Sequence, residues 1–363
     1  MVIRYMIWHF LRTGEVFSTM DDDAEDVKIT HRALLQIAKY NAVDERVTIN
    51  AVDCGAAFRF LLPLLSLRAG KWHLTGTARL LQRPIAPLLD TLHGIGAQIS
   101  CAADRSLLIE GRPLQAAQLT VDCTQSSQFA SALLISSREL GLQELHTLPS
   151  KPNSDSYVTM TRQVIAYYTQ YGLPAYWESD WSAALFWYAW MLLNDRMSFE
   201  LPMLSLNSLQ GDCCIANLVV QWGIESLPTA TGLLLRCNRL NMPDSLMLDM
   251  SQNIDLVPIL SALAVLIPFH LTLTSIANLN SKESERGTNL VRAFQLLCDA
   301  GYKNNNTLII NGFNKKRIIE PLFFDAASDH RLVMAFALFS SRYTVEIEGA
   351  ETVRKSYPAF LDL

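Results

Sequence analysis

Lys282, Glu283, Glu285 and Arg286 put four charges within five residues of a chain that is half hydrophobic and only 18% charged. An ammonium, a guanidinium and two carboxylates can move protons and hold an anionic group once something aims them. The flanking patterns say what does. Residues 269–274 alternate apolar and polar with the period of a strand, and Leu290, Val291, Phe294, Leu297 and Cys298 recur at helical spacing. The cluster therefore stands where a strand hands over to a helix. There the helix start offers free N–H groups, and loop side chains are not committed to packing. The same charges also suit a solvated loop whose Glu283 and Glu285 complement the helix dipole, the commoner fate of a charge run.

The 363 residues suffice for about two domains with a core each. Net charge is −5, so no global basic field exists for nucleic acid or an anionic membrane, and local Arg and Lys groups must meet any anionic substrate. The cysteines (Cys54, Cys101, Cys123, Cys213, Cys214, Cys237, Cys298) are odd in number, lack C-x-x-C spacing and sit mostly among apolar neighbours. They are expected to be buried thiols in a reducing cytoplasm rather than disulfides or zinc ligands. Arg4 and His9 interrupt the apolar N-terminus, which has no small-residue cleavage site and does not read as a signal peptide. Residues 256–269 contain Pro258 and Pro268 and are too short for a membrane span, so they are expected to form a buried helix.

The elements that would position these groups follow along the chain. An acidic patch, Asp21-Asp-Asp-Ala-Glu-Asp26, precedes a helix over residues 27–40 with Leu34, Leu35 and Ile37 on its apolar side. Asp53 to Gly55 opens a helix running to Leu65, residues 72–75 form a strand, and Pro84 is expected in the first turn of a further helix. Apolar helices stop at Gly96, Gly172, Gly223 and Gly301, each followed by a β-like run. The intervals between these glycines are 76, 51 and 78 residues, and the short one is expected to lack a strand hairpin near Trp177. The chain changes character there, which divides it into residues 1–175 and 176–363. In the second half residues 246–250 form a strand, Asp255 opens the apolar helix, and Asp329-His330-Arg331 opens another.

Together these turns resemble one family, the 3-phosphoshikimate 1-carboxyvinyltransferases or EPSP synthases. The resemblance is carried by Gly55-Ala-Ala-Phe-Arg59, Arg79-Leu-Leu-Gln-Arg-Pro-Ile85, Ser126-Ser-Gln128, residues 178–184, Gln210-Gly-Asp212, Ile254-Asp-Leu256, residues 278–286 (family N-x-x-x-K-E-[ST]-D-R), Asp329-His-Arg331 and Lys355-Ser-Tyr-Pro358. Each is short, and their order and spacing make the set specific. The resemblance implies an α/β (α+β) fold of two domains, each built from βαβαββ repeats around buried helices, with the active site in the cleft and some repeats incomplete here. It also implies a cytoplasmic monomer that moves the enolpyruvyl group of phosphoenolpyruvate to shikimate 3-phosphate, without metal or cofactor.

By that resemblance Gly55, Arg83, Gln128, Arg286, Arg331 and Lys355 would bind phosphoenolpyruvate, guanidinium forks suiting its phosphate and carboxylate. Ser126, Ser127, Gln128, Ser154, Tyr157, Asp255, Asn278 and Lys282 would bind shikimate 3-phosphate. Asp255 and Lys282 would handle the hydroxyl proton, Glu283 would protonate the enol carbon, and His330 would assist. Plainer roles compete: Asp255 as a helix cap, the serines as turn residues, His330 as a satisfied histidine at a helix start.

Departures from the family pattern bear on activity. Its S-K-x-x-S-N-R segment, whose lysine touches both substrates, is absent by this reading, which makes the first repeat incomplete. Ala56 stands for a threonine, Ser154-Asp-Ser-Tyr157 for S-[KR]-P-Y, and Glu285 for Asp. The readings are therefore a weakened enzyme, a competent one with the lysine supplied otherwise, or a non-catalytic protein that binds phosphorylated small molecules.

Overall fold

The computed structural model describes residues 1–20, 23–40, 45–150, 153–194, 198–237, 241–313 and 319–362; Asp21 and Asp22 of the acidic patch lie outside them. The chain divides into two compact units, Met1–Pro174 and Ala175–Leu363, each around its own apolar core.

The first unit opens with helices α1 (Val2–Thr13) and α2 (Glu25–Ala38). A full βαβαββ repeat follows: β1 (Arg46–Asn50), α3 (Gly55–Leu67), β2 (Gly70–Thr75), α4 (Ala78–Gln82), α5 (Ala86–Gly94), β3 (Gln98–Cys101) and β4 (Leu107–Gly111). Its strand order is β1-β2-β4-β3, with β1 and β2 parallel and the hairpin antiparallel. A shorter repeat comprises β5 (Gln118–Asp122), α6 (Gln128–Ile135), β6 (Glu144–Leu148) and α7 (Asp155–Tyr171), with β5 and β6 parallel. No hairpin follows, since residues 172–180 contain no strand.

The second unit begins with α8 (Trp181–Leu193), β7 (Ser198–Pro202), α9 (Ile215–Val220), β8 (Ile224–Pro228) and β9 (Gly232–Cys237), ordered β7-β9-β8. A full repeat comprises β10 (Ser245–Asp249), α10 (Val257–Leu266), β11 (His270–Thr274), α11 (Arg286–Phe294), β12 (Asp299–Asn304) and β13 (Thr307–Asn311). Its order, β10-β11-β13-β12, repeats that of the first unit. A parallel pair, β14 (Leu322–Asp325) and β15 (Val345–Glu348), flanks α12 (His330–Ala337).

Composition explains the layering. Every residue of α10 is buried, as a helix apolar but for Ser261 must be, and Pro258 sits in its first turn, where no N–H is needed. Gly111 ends β4 and Gly312 directly follows β13, the fourth strands of the two full repeats, where any Cβ would strike backbone carbonyls at the ends of α3 and α10.

One backbone bond recurs in every repeat. The residue after the first strand, or in its place, donates to the carbonyl closing the second: Ala51 to Thr75, Cys123 to Leu148, Ser179 to Met203, Met250 to Thr274 and Ala326 to Glu348, at 2.8–3.1 Å. Just beyond it lie the turns that start α3, α6, α8, α10 and α12.

Several expectations need correction. The helix after Arg83 starts at Ala86, so Pro87 rather than Pro84 occupies its first turn, and α4 precedes it. Gly96, Gly172 and Gly223 do turn the chain at positive φ. Gly301 lies inside β12 instead, because α11 stops at Phe294 and residues 295–298 already reverse the chain. Cys54, Cys123 and Cys298 are buried, but Cys101 and Cys214 are exposed, Cys101 because it lies on the edge strand β3.

Candidate active site

In the second unit the opening charge cluster folds inward. The side chain of Arg286 is only 1% exposed, which excludes a solvated loop for that residue; Glu285 alone of the four charged residues is exposed. The Arg286 guanidinium is a hub. Its Nη1 donates to Asp255 Oδ1 at 2.8 Å, its Nη2 to Glu283 Oε2 at 2.8 Å and Asp329 Oδ1 at 3.1 Å, and its Nε to Asp329 Oδ2 at 2.9 Å. Lys282 Nζ lies 3.3 Å from the same Asp255 oxygen. Ser284 Oγ donates to Asp329, which also caps α12 by accepting from the Arg331 N–H. Arg331 in turn pairs with Asp180 at 3.4 Å, and Asp180 caps α8. Asp212 joins two of these turns by accepting from Ser182 Oγ and Asn253 Nδ2.

This geometry sets the protonation states. Burial alone would raise Asp255, but Lys282, Arg286 and Arg331 outweigh it and hold the carboxyl far below its ordinary range. Asp329 is likewise lowered, Arg286 overcoming its burial. Burial would weaken the charge on Arg286, and its three carboxylates hold it firmly cationic. Burial and the adjacent Arg331 pull His330 down to about 4, leaving a neutral imidazole at neutral pH whose Nδ1 has no hydrogen-bond partner among the described residues. Burial pushes Asp212 up to about 6, against its two hydrogen bonds. The arrangement can accept a hydrogen bond at the ionised Asp255, hold the Lys282 ammonium against it and hold an anionic group at Arg331.

In the first unit two guanidinium groups converge on the start of α3. A Cβ on Gly55 would lie 2.5 Å from Arg83 Nη1 and 2.8 Å from Arg59 Nη1, so only glycine leaves room for both guanidinium groups. Arg59 Nη1 donates to Gln128 Oε1 at 2.9 Å and Nη2 to the Pro84 carbonyl at 2.8 Å, fixing Gln128 at the start of α6. Ser126 Oγ accepts from the Gln128 N–H, and Ser127 is buried at the helix cap. Ser154 and Tyr157 stand at the start of α7, Ser154 in the left-handed conformation.

The structure thus brings together Asp255, Lys282, Glu283 and Arg286, with Arg331 and His330 joined through Asp329; separately it gathers Gly55, Arg83 and Gln128. Asn278 lies in the 3-10 turn Ala277–Ser281. Lys355 is buried in the turn Ala350–Lys355, which packs on α12. Four residues escaped the sequence reading: Asp329 and Asp180 as ion-pair partners, Arg59 as the anchor of Gln128, and Arg4. Arg4 is buried on α1, its Nε donating to Thr161 Oγ1 at 2.7 Å and its Nη2 to the Tyr157 carbonyl at 3.4 Å. A lone arginine on the apolar side of a helix was the available signal.

Comparison with known proteins defines first the class. EPSP synthase from Acinetobacter baumannii superposes with a TM-score of 0.64 at 19% identity, over 99% of this chain and 92% of that one. The enolpyruvyl transferase NikO from Streptomyces tendae does so at 0.58 and 14%, over 84% and 74%. The fold is that of the enolpyruvyl transferases. The family model for EPSP synthase (3-phosphoshikimate 1-carboxyvinyltransferase) matches residues 10–363. The 3-phosphoshikimate 1-carboxyvinyltransferase of Bacteroides fragilis is 30% identical across 99% of this chain and 90% of its own length. The chain belongs to the EPSP synthase family.

Proposed function

We propose that this protein transfers the enolpyruvyl group of phosphoenolpyruvate to a hydroxyl of shikimate 3-phosphate, releasing phosphate. The observation that carries this reading is Lys282 Nζ at 3.3 Å from an Asp255 carboxylate kept ionised by cations. The acceptor hydroxyl adds to the substituted enol carbon as its proton leaves through the Asp255–Lys282 pair, and Glu283, a carboxylate at rest beside Arg286, takes a proton from solvent and passes it to the methylene carbon. Loss of phosphate and of a methyl proton from the tetrahedral adduct restores the enol ether. In the second unit Arg331 and Lys355 offer charge to the anionic groups of phosphoenolpyruvate; in the first, Arg83 with Gly55 and Gln128 offers the same. Arg286 anchors the carboxylates, and exchanging one of them for the substrate would let it share that role. In the first unit Ser126, Ser127, Ser154 and Tyr157 suit shikimate 3-phosphate, with Arg4 on α1 beside Tyr157; in the second, Asn278 does.

The test is phosphate release from the two substrates. Lys282→Ala is expected to abolish it, and unchanged turnover would defeat the assignment. Should the native chain release none while calorimetry detects both substrates binding, the non-catalytic reading replaces this one.

A further inference from the structure

The loop that presents Lys282 and Glu283 is closed by a residue outside the reacting set. Helix α11 begins at Arg286, and Glu285 in its cap position makes no side-chain cap bond. Asn280 does so instead from across the loop: its Oδ1 accepts from the Gly287 N–H at 2.8 Å and from the Thr288 N–H at 3.1 Å. Those are two of the donors a helix start leaves without intrahelical partners. The bonds close residues 280–288 into a ring holding Lys282, Glu283, Ser284 and Arg286. Tyr302 clamps the same point from β12, its hydroxyl standing over Gly287 where any Cβ would collide with it. The backbone of Arg286 is thus fixed from two sides, so its guanidinium reaches Asp255 without searching.

We propose that Asn280 is a positioning residue for proton transfer: by capping α11 across the loop it holds Lys282 at Asp255. The proposal rests on the enolpyruvyl-transfer reading for its catalytic half and on the hydrogen bonds alone for its structural half. An Asp side chain keeps the acceptor and suits the positive end of the helix; an Ala side chain keeps neither.

The test compares Asn280→Ala and Asn280→Asp in the full chain. Backbone hydrogen exchange over residues 281–288 is expected to speed up about tenfold in Asn280→Ala and to stay near native in Asn280→Asp, a cap being worth about that factor. For phosphate release, kcat is expected to fall about tenfold in Asn280→Ala while KM for phosphoenolpyruvate changes less than about threefold, with Asn280→Asp restoring the rate, since the group misplaced acts in the transition state. Unchanged exchange in Asn280→Ala overturns the proposal. So does faster exchange with unchanged kcat, or an equal loss of kcat in both variants. If the native chain releases no phosphate, the enolpyruvyl-transfer reading falls, and the exchange result alone decides whether Asn280 holds the loop.

Discussion

At the scale of single residues, the second-unit site is a chain of alternating charges in which each buried ion has a partner. Removing one partner leaves the other stranded. Asp329→Ala is therefore expected to lower unfolding free energy by about 3–5 kcal/mol, because Arg286 stays buried without its two-oxygen acceptor. The exposed Glu285→Ala should change it by less than about 0.5 kcal/mol; urea titration checks both. Two groups titrate in opposite senses. His330 falls from 6.5 to about 4 in the folded protein, so the unfolded chain takes up more protons between those values, and stability is lost as pH drops through that window. Asp212 rises from 3.8 to about 6, so its contribution is full below the lower value and is lost as pH rises through the upper one. Unfolding measured from pH 4 to 7 should show a shallower acid-side loss in His330→Asn and a steeper one in Asp212→Asn.

At the scale of elements, the recurring backbone bond sets where function can lie. It ties each helix start to the end of a parallel strand pair, or for α8 to the end of β7 alone, and Gly55, Gln128, Asp180, Asp255 and Asp329 all fall within five residues of it. Such strand ends are where open α/β sheets bind ligands, since the turns there are free of packing duties. Gly55 shows how little slack remains. Gly55→Ala should push the Arg83 or Arg59 guanidinium aside, raising KM for phosphoenolpyruvate about tenfold while the unfolding midpoint barely moves, since the displaced atoms end flexible side chains. Steady-state kinetics with denaturant unfolding separates the two effects. The hairpin missing after α7 was legible in the glycine spacing because a repeat has a fixed length. Pro84 was misplaced because Pro84 and Pro87 both stand near the helix start, and local preference cannot choose between them.

At the scale of the whole molecule, a net charge of −5 sets the local cations against the background field. Anionic substrates are therefore expected to bind through short-range pairs at buried sites. Raising ionic strength from about 0.05 to about 0.5 M should change KM for phosphoenolpyruvate by less than about twofold, since buried pairs are screened far less than exposed ones. A KM that rises severalfold with salt would count against recognition at buried sites.

By itself the sequence determined the repeat order, the buried α10, the strand-to-helix position of residues 282–286 and the family, because periodicity and motif spacing are properties of neighbours along the chain. Only the tertiary structure decided that Arg286 is buried, that Asp329, 43 residues further on, shares its charge, and that Asn280 rather than Glu285 caps the helix between them. Protonation and capping depend on separations of about 3 Å in space, and no pattern along the chain records those.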